Sequence, residues 1–316
     1  MSAVNIYVPT YRNEVIFNAV LDSYLNQTFE NIKIHIFDNS FADGFEEIQS
    51  LVEEKKDKRI VYIKNNYQMG AAANYWQAIN SIDYKSKAML LAADMGLAPN
   101  AIEVMLRNIR SYQSHIVMPA TREYPAEIFY GKSQAALGCG DFNSLSPLDP
   151  ESTFTSSTHI LERYFGNENI SGEFFKFSFL GCLFDGGLIR HPPRSVLRFG
   201  QHGFEQYISM SLLVSALNVL SIPDELLYNI YGAERLGGTE RLGDDLGRIE
   251  CILACQMILD EHDFYLSSRK VDIVKMRKSQ IQKAIYFKSN FTGYEGYADE
   301  IIAKNKKYIH ETMIFA

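Results

Sequence analysis

Residues 4–40 read VNIYVPTYRNEVIFNAVLDSYLNQTFENIKIHIFDNS, and their hydrophobic pattern decides the fold. Val4–Val8 is a short apolar strand that stops at Pro9. Asn13–Leu25 then places Ile16, Phe17, Val20, Leu21 and Tyr24 at helical spacing. Ile32–Phe37 (IKIHIF) is a second apolar strand, closed by the polar run Asp38, Asn39 and Ser40. A strand, helix and strand of these lengths form a β-α-β unit, whose strands run parallel through a right-handed crossover.

The alternation continues. A helical stripe over Phe45–Val52 leads to a strand at Arg59–Ile63, a helix at Ala71–Ile82 and a strand at Lys87–Ala92. A helix at Pro99–Ser111 and a strand at His115–Met118 follow. In such sheets ligands bind beyond the carboxyl ends of the strands. The polar clusters at Pro9 to Arg12, Asp38 to Ser40, Asn65 to Gly70 and Asp94 are therefore expected to converge on one edge.

The middle of the chain is less regular. Residues 131–158 are rich in Gly, Ser and Pro and read as a long loop of the kind that serves as a lid. Phe174–Phe184 is strand-like, Glu205–Leu217 reads as a helix, and Val219–Ile222 as a strand closed by Pro223. From Gly247 onward the pattern is helical (IECILACQMIL, then Val271–Tyr286), followed by a tail. No repeat or low-complexity tract interrupts this order.

Composition narrows the function. The chain has 316 residues, 31 Lys and Arg against 38 Asp and Glu, and a net charge of −7. That balance offers no general attraction to nucleic acid. With 20 Phe, 19 Tyr and 9 Pro, the chain is not disordered. No run reaches the roughly 18 apolar residues of a membrane helix. The start MSAVNIYVP has no basic segment and is not read as a signal peptide. The four cysteines, Cys139, Cys182, Cys251 and Cys255, are too scattered for a disulfide framework, which suggests a reducing, cytoplasmic setting. Cys251 and Cys255 share a helix face, where packing is the plain reading.

The opening strand–PTYRN–helix–NQTF–strand–DNSFADG run resembles the start of the family 2 glycosyltransferases, nucleotide-sugar-dependent enzymes of the GT-A fold. The segments NNYQMGAAANYWQAIN (65–80), LLAADMGLAPNAI (90–102) and GQHGFEQYISMSLLVSALNVLSIPDELLY (200–228) are similar to later motifs of that family, in the same order. The resemblance implies a Rossmann-like, mostly parallel sheet flanked by helices over about residues 1–232. Residues 1–120 would form the nucleotide-sugar half and 121–232 the acceptor half, with a helical appendage at 233–316.

It also implies site residues. Pro9, Tyr11, Asp38 and Asn39 would form the nucleoside pocket. A carboxylate at Asp38 can accept from a base N–H or ribose hydroxyls, although an Asp there also caps turns. Gly70 and Asn74, at a loop-to-helix junction, would face the diphosphate, because backbone N–H groups and the helix dipole favour anions. Asp94 stands at the last Asp of the family's D-x-D and would bridge Mg²⁺ or Mn²⁺ to the diphosphate, with Ala92 in place of the first Asp. Gly181 and Phe204 would border the acceptor, and aromatic Phe199 and Tyr207 lie nearby in sequence.

The family's Glu-Asp pair aligns with Glu205–Gln206. Gln206 has no titratable proton acceptor, so Glu205 takes the role of base, with His202 a weaker alternative. The implied reaction moves a sugar, with inversion, from a UDP-, GDP- or dTDP-linked donor to a hydroxyl of a surface glycan or lipid-linked acceptor. A decayed sugar-nucleotide-binding module is the alternative, and a nucleotide-sugar hydrolase or nucleotidyltransferase fits less well.

Residues 264–316 hold ten basic residues against five acidic ones, leaving about −12 for the rest. Such a tail reads as a solvated helical face, or as a dock on the inner face of a membrane or an oligomer contact.

Overall fold

The computed structural model describes residues 3–12, 14–40, 44–67, 69–125, 155–166, 178–231, 244–290, 293 and 295–315. Its strands are β1 (Val4–Thr10), β2 (Ile32–Asp38), β3 (Ile60–Lys64), β4 (Lys87–Leu90), β5 (Met95–Leu97), β6 (Ile116–Pro125), β7 (Thr155–Ser156), β8 (Leu183–Asp185) and β9 (Asn218–Tyr231). The helices are α1 (Glu14–Leu25), α2 (Glu47–Lys55), α3 (Gly70–Asn80), α4 (Ala101–Tyr112), α5 (Ser157–Gly166), α6 (Gln201–Ser215), α7 (Asp244–Glu261), α8 (Asp263–Ser268), α9 (Ile273–Asn290) and α10 (Glu295–Phe315).

The sheet runs β3-β2-β1-β4-β8-β6-β9-β5. The first four of these strands are parallel, as the β-α-β reading requires. β8 inserts antiparallel between β4 and β6, and β5 pairs antiparallel with β9. The result is a mixed, mostly parallel sheet flanked by helices. One sheet face is apolar throughout. Val4, Ile6 and Val8 of β1 and Ile32, Ile34 and Ile36 of β2 alternate onto it and pack against Ile16, Phe17, Val20 and Leu21 of α1. Period-two alternation places these residues on one side of the pleat.

Several elements differ from their sequence reading. β9 does not close at Pro223 but continues to Tyr231; its pairing with β6 shifts register at Pro119/Ala120 and Ala120/Thr121. Proline lacks the N–H a ladder needs, and the bulge carries the strand past it. Of the strand expected over Phe174–Phe184, only Leu183–Asp185 begins inside it as a strand; residues 174–177 lie outside the described residues. The last helix, α10, spans 21 residues where the sequence reading left a tail. Most of the loop expected at 131–158 lies outside the described residues, but its end is β7 and the first turn of α5.

The chain falls into two compact units. The first comprises Met1–Thr155, Ser178–Pro192 and Asn218–Glu240, and holds the sheet core. The second gathers Ser156–Phe177, Pro193–Leu217 and Arg241–Ala316. Residues 193–217, assigned from sequence to the first 232, thus group with the C-terminal helices. Within the second unit, Ile249 and Ile252 of α7, Ala284 and Phe287 of α9 and Ala298 and Ile301 of α10 form one apolar cluster.

Part of the basic tail is engaged inside that unit, while Lys270, Lys275, Lys278, Lys306 and Lys307 are exposed. Arg277 is 2% exposed and bonds to Asp260, Asn305 and the Leu259 carbonyl. Arg269 donates to the carbonyls of Val214 and Ala216. Lys288 pairs with Asp299 and Lys304 with Asp260, both within 2.6 Å. Lys283 is buried enough that desolvation lowers its proton affinity. No helix among the described residues is long and apolar enough to cross a membrane.

Candidate active site

The carboxyl ends of β1, β2 and β4 carry the candidate residues. Asp38 ends β2 and is wholly buried. Its Oδ1 accepts from the Ser40 backbone N–H at 2.8 Å and from the Ser40 hydroxyl. Its Oδ2 accepts from the Tyr62 hydroxyl at 2.7 Å. Asp38 therefore does cap the following turn, and both oxygens are fixed in direction by the protein. Burial, then the bond to Asp38, raises the Tyr62 phenol well above its ordinary range, so Tyr62 remains a donor.

Asn39 is also buried. Its N–H donates to the Thr10 carbonyl at 3.0 Å, and its Oδ1 accepts from the Met69 N–H at 3.2 Å. That bond ties the end of β2 to the start of α3. Gly70 opens α3 at φ +75°, a left-handed conformation that favours glycine, and the preceding Met69 makes no side-chain cap bond. A Cβ at Gly70 would meet nothing within 4 Å. The exposed Gly70 and Ala71 leave the first-turn N–H groups accessible, as an anion site needs.

Asn74 is 3% exposed and faces the other way. Its Nδ2 donates to the carbonyls of Phe37 at 3.0 Å and Thr10 at 3.4 Å; its Oδ1 accepts from Asn65 Nδ2 at 3.0 Å. The amide is spent on joining the ends of β1 and β2 to α3, so it braces the site from behind rather than facing a diphosphate.

Asp94 lies half-buried on a turn between β4 and β5, closed by Met95 N–H to the Ala92 carbonyl at 3.0 Å. The Ile230 N–H donates to the Asp94 carbonyl at 2.9 Å, and the buried Tyr24 hydroxyl donates to the Met95 carbonyl at 2.5 Å. Burial, reinforced by the Asp94 charge, raises the Tyr24 phenol well above its ordinary value. Ala92 supplies no ligand atom. Among the described residues, no group of three or more His, Cys, Asp or Glu could hold a metal ion.

Pro9 is buried within β1, and Tyr11 follows it half-buried. Arg12 adopts φ 53° and holds its guanidinium 3.7 Å from the Phe45 ring centroid and 4.9 Å from that of Tyr11. Gly181 has φ +81° and donates its N–H to Leu90; a Cβ there would lie 2.2 Å from Leu227 Cδ1. The left-handed backbone favours glycine here, and any larger residue would also have to displace the end of Leu227.

Phe204, Glu205 and Gln206 belong to the second unit. Phe204 is 0% exposed, so it is a core residue with no face left for a sugar. The acceptor role read from sequence would need an exposed ring face, which this packing does not offer. Phe199 and Tyr207 are likewise buried. Gln206 is buried, and its Nε2 meets no acceptor among the described residues. Glu205 is half-exposed, the only member of the Glu205–Gln206 pair with both access and a carboxylate. The His202 ring lies outside the described residues. Cys182, Cys251 and Cys255 are buried free thiols, and Cys139 lies outside the described residues.

Tyr62 and Tyr24 escaped the sequence reading of the site, whereas Ser40 and Asn65 lay in the polar clusters expected at the sheet edge. The polar DNS and NN runs were visible signals for Ser40 and Asn65. Nothing local marked the two tyrosines: Tyr62 reaches from β3 to the neighbouring strand end, and Tyr24 from α1 to the start of β5.

These features define an α/β protein whose candidate site gathers a strand-end carboxylate, buried amides and an exposed helix N-terminus on one edge of the sheet. The chain belongs to glycosyl transferase family 2, whose model matches residues 5–175. It is 39% identical over 72 residues to the Escherichia coli UDP-Glc:alpha-D-GlcNAc-diphosphoundecaprenol beta-1,3-glucosyltransferase WfaP, covering 23% of this chain and 28% of that one. It is 25% identical over 182 residues to the putative colanic acid biosynthesis glycosyl transferase WcaA of Escherichia coli K12, covering 58% and 60%. The aligned stretches thus span under two thirds of either relative. The fold is similar to that of S. aureus TarS 1–349 (TM-score 0.54, 12% identity, 98% of this chain and 91% of that one), and to the same protein in complex with UDP-GlcNAc (TM-score 0.55).

Proposed function

We propose that the chain transfers a sugar from a nucleotide diphosphate donor to a hydroxyl acceptor, with inversion, in the assembly of a bacterial surface glycan. The observation that carries this reading is the convergence of Asp38, Asn39 and the open start of α3 on one edge. There, Pro9, Tyr11, Asp38 and Asn39 hold the nucleoside, and the N–H groups at Gly70 receive a phosphate. A UDP-linked hexose is the first donor to try, and a lipid-diphosphate-linked sugar the first acceptor.

Asp94 would hold Mg²⁺ or Mn²⁺, which stabilises the departing diphosphate. A single carboxylate suits a cation completed by phosphate oxygens and water. Glu205 accepts the proton of the attacking hydroxyl, the role that buried Gln206 cannot fill. Attack on the anomeric carbon from the face opposite the leaving diphosphate inverts that centre.

The test is nucleotide release from UDP-glucose, UDP-GlcNAc, GDP-mannose and dTDP-glucose, with and without Mn²⁺ and a synthetic GlcNAc-diphospholipid. Acceptor-dependent release, with an inverted linkage by NMR, is expected. Binding without release would instead favour a non-catalytic sugar-nucleotide-binding module, and release without acceptor a hydrolase.

A further inference from the structure

We propose that Glu250 of α7 is a positioning residue that sets the start of α6 and thereby the place of Glu205; this rests on the assignment of Glu205 as base. The Glu250 carboxylate accepts from the Gly200 N–H through Oε1 at 2.8 Å and from the Gly203 N–H through Oε2 at 3.3 Å. Gly200 is the residue preceding α6, and its own cap position carries no side-chain bond. The first-turn N–H groups of a helix need acceptors, and a carboxylate there also meets the positive end of the dipole. Here that acceptor comes from another helix, so α6 is registered against α7 by two bonds rather than capped from within.

Both glycines are explained by the same contact. A Cβ at Gly200 would lie 2.5 Å from Glu250 Oε1 and 2.8 Å from Oε2; one at Gly203 would lie 2.7 Å from Glu250 Cβ and 2.9 Å from Phe199 Cβ. Gly200 has φ −67° and ψ −173°, a conformation any residue adopts. Its small size is therefore what lets the carboxylate sit where it does, and is not needed by the backbone. Glu250 and Glu205 act on one further group together: after burial and Cys255, their charges raise the Cys251 thiol. The two carboxylates thus border the same part of this unit. Glu205, five positions beyond Gly200, takes its direction from a helix start that Glu250 holds.

Three variants and two readouts test this. In E250A, amide hydrogen exchange across residues 200–206 should rise while α9 and α10 keep their protection. With UDP-glucose as donor, kcat should fall about tenfold or more with donor KM unchanged, as expected when a reacting group is displaced. E250Q retains an acceptor oxygen for Gly200 and should recover part of kcat. G200A should lower kcat by itself but add little in the E250A background, where the clashing carboxylate is absent. Unchanged exchange in E250A, or parallel loss of kcat and KM with global melting, overturns the proposal. Loosened exchange with an E205Q enzyme as active as wild type shows instead that the base assignment has failed, and removes the catalytic role of the brace.

Discussion

Asn65 Nδ2 donates to Asn74 Oδ1 at 3.0 Å, and this leaves the Asn74 amide free to bond the Phe37 and Thr10 carbonyls. The loop after β3, helix α3 and the ends of β1 and β2 are thereby joined through one buried amide. Asn74→Ala should destabilise the first unit by about 2–3 kcal/mol, because it leaves a buried donor and at least one buried acceptor unpaired. Asn74→Asp should cost at least as much, since a carboxylate cannot donate to Phe37 and brings charge into the interior. Urea unfolding followed by circular dichroism measures both; wild-type stability in N74D would show the bracing bonds to be dispensable.

If the proposed nucleoside role of Asp38 holds, Asp38 and Tyr62 separate nucleotide recognition from its support. Asp38→Ala should abolish UDP binding in calorimetry. Tyr62→Phe removes one bond to a charged acceptor, worth roughly 1.5–3 kcal/mol, while Ser40 still orients the carboxylate. It should weaken UDP binding far less than Asp38→Ala does. Equal losses in the two variants would mean that Asp38 acts only within the fold.

The strand–helix order up to residue 118 was legible because each element announces itself locally. Val4, Ile6 and Val8, or Ile16, Phe17, Val20 and Leu21, declare their face within a single window. Other features depend on distant partners. α10 buries Asn305, an unpromising core residue until Gln256 and Arg277 are seen to satisfy it. β9 passes Pro223 only because its partner strand shifts register there. At the site, Asp38 was legible as a carboxylate after a strand, but the two tyrosines, Tyr62 and Tyr24, were not. Gln206 could be recognised as a substitution, whereas its burial, which singles out Glu205, belongs to the packing.

His35 predicts a pH dependence. Its ring stacks on Tyr7 with centroids 4.7 Å apart and planes within 12°. Burial, then the neighbouring Lys33 charge, lowers its proton affinity below the ordinary value. Asp83 and Lys85, from the loop after α3, line the same cavity, and no net opposing charge compensates the burial. The unfolded chain therefore binds a proton more readily than the folded one. Stability is fully present above about pH 6.5, the unfolded value, and declines as pH falls below it. His35→Asn should flatten the stability curve between about pH 7 and 5. An unchanged slope would assign the acid loss to other groups.

Gly181 joins two constraints that a double variant separates. Its φ of +81° disfavours any other residue, and a Cβ would penetrate Leu227. Gly181→Ala should therefore cost about 1–3 kcal/mol for the backbone, plus a further cost for overpacking of about 1–3 kcal/mol. Leu227→Ala alone removes a buried side chain and should cost about 2–5 kcal/mol. In the double variant the overpacking part disappears and the backbone part remains, so the two losses should sum to less than the singles. Thermal unfolding of the four proteins measures this. Strict additivity would mean that Leu227 moves aside freely, and that only the left-handed backbone holds glycine at this position.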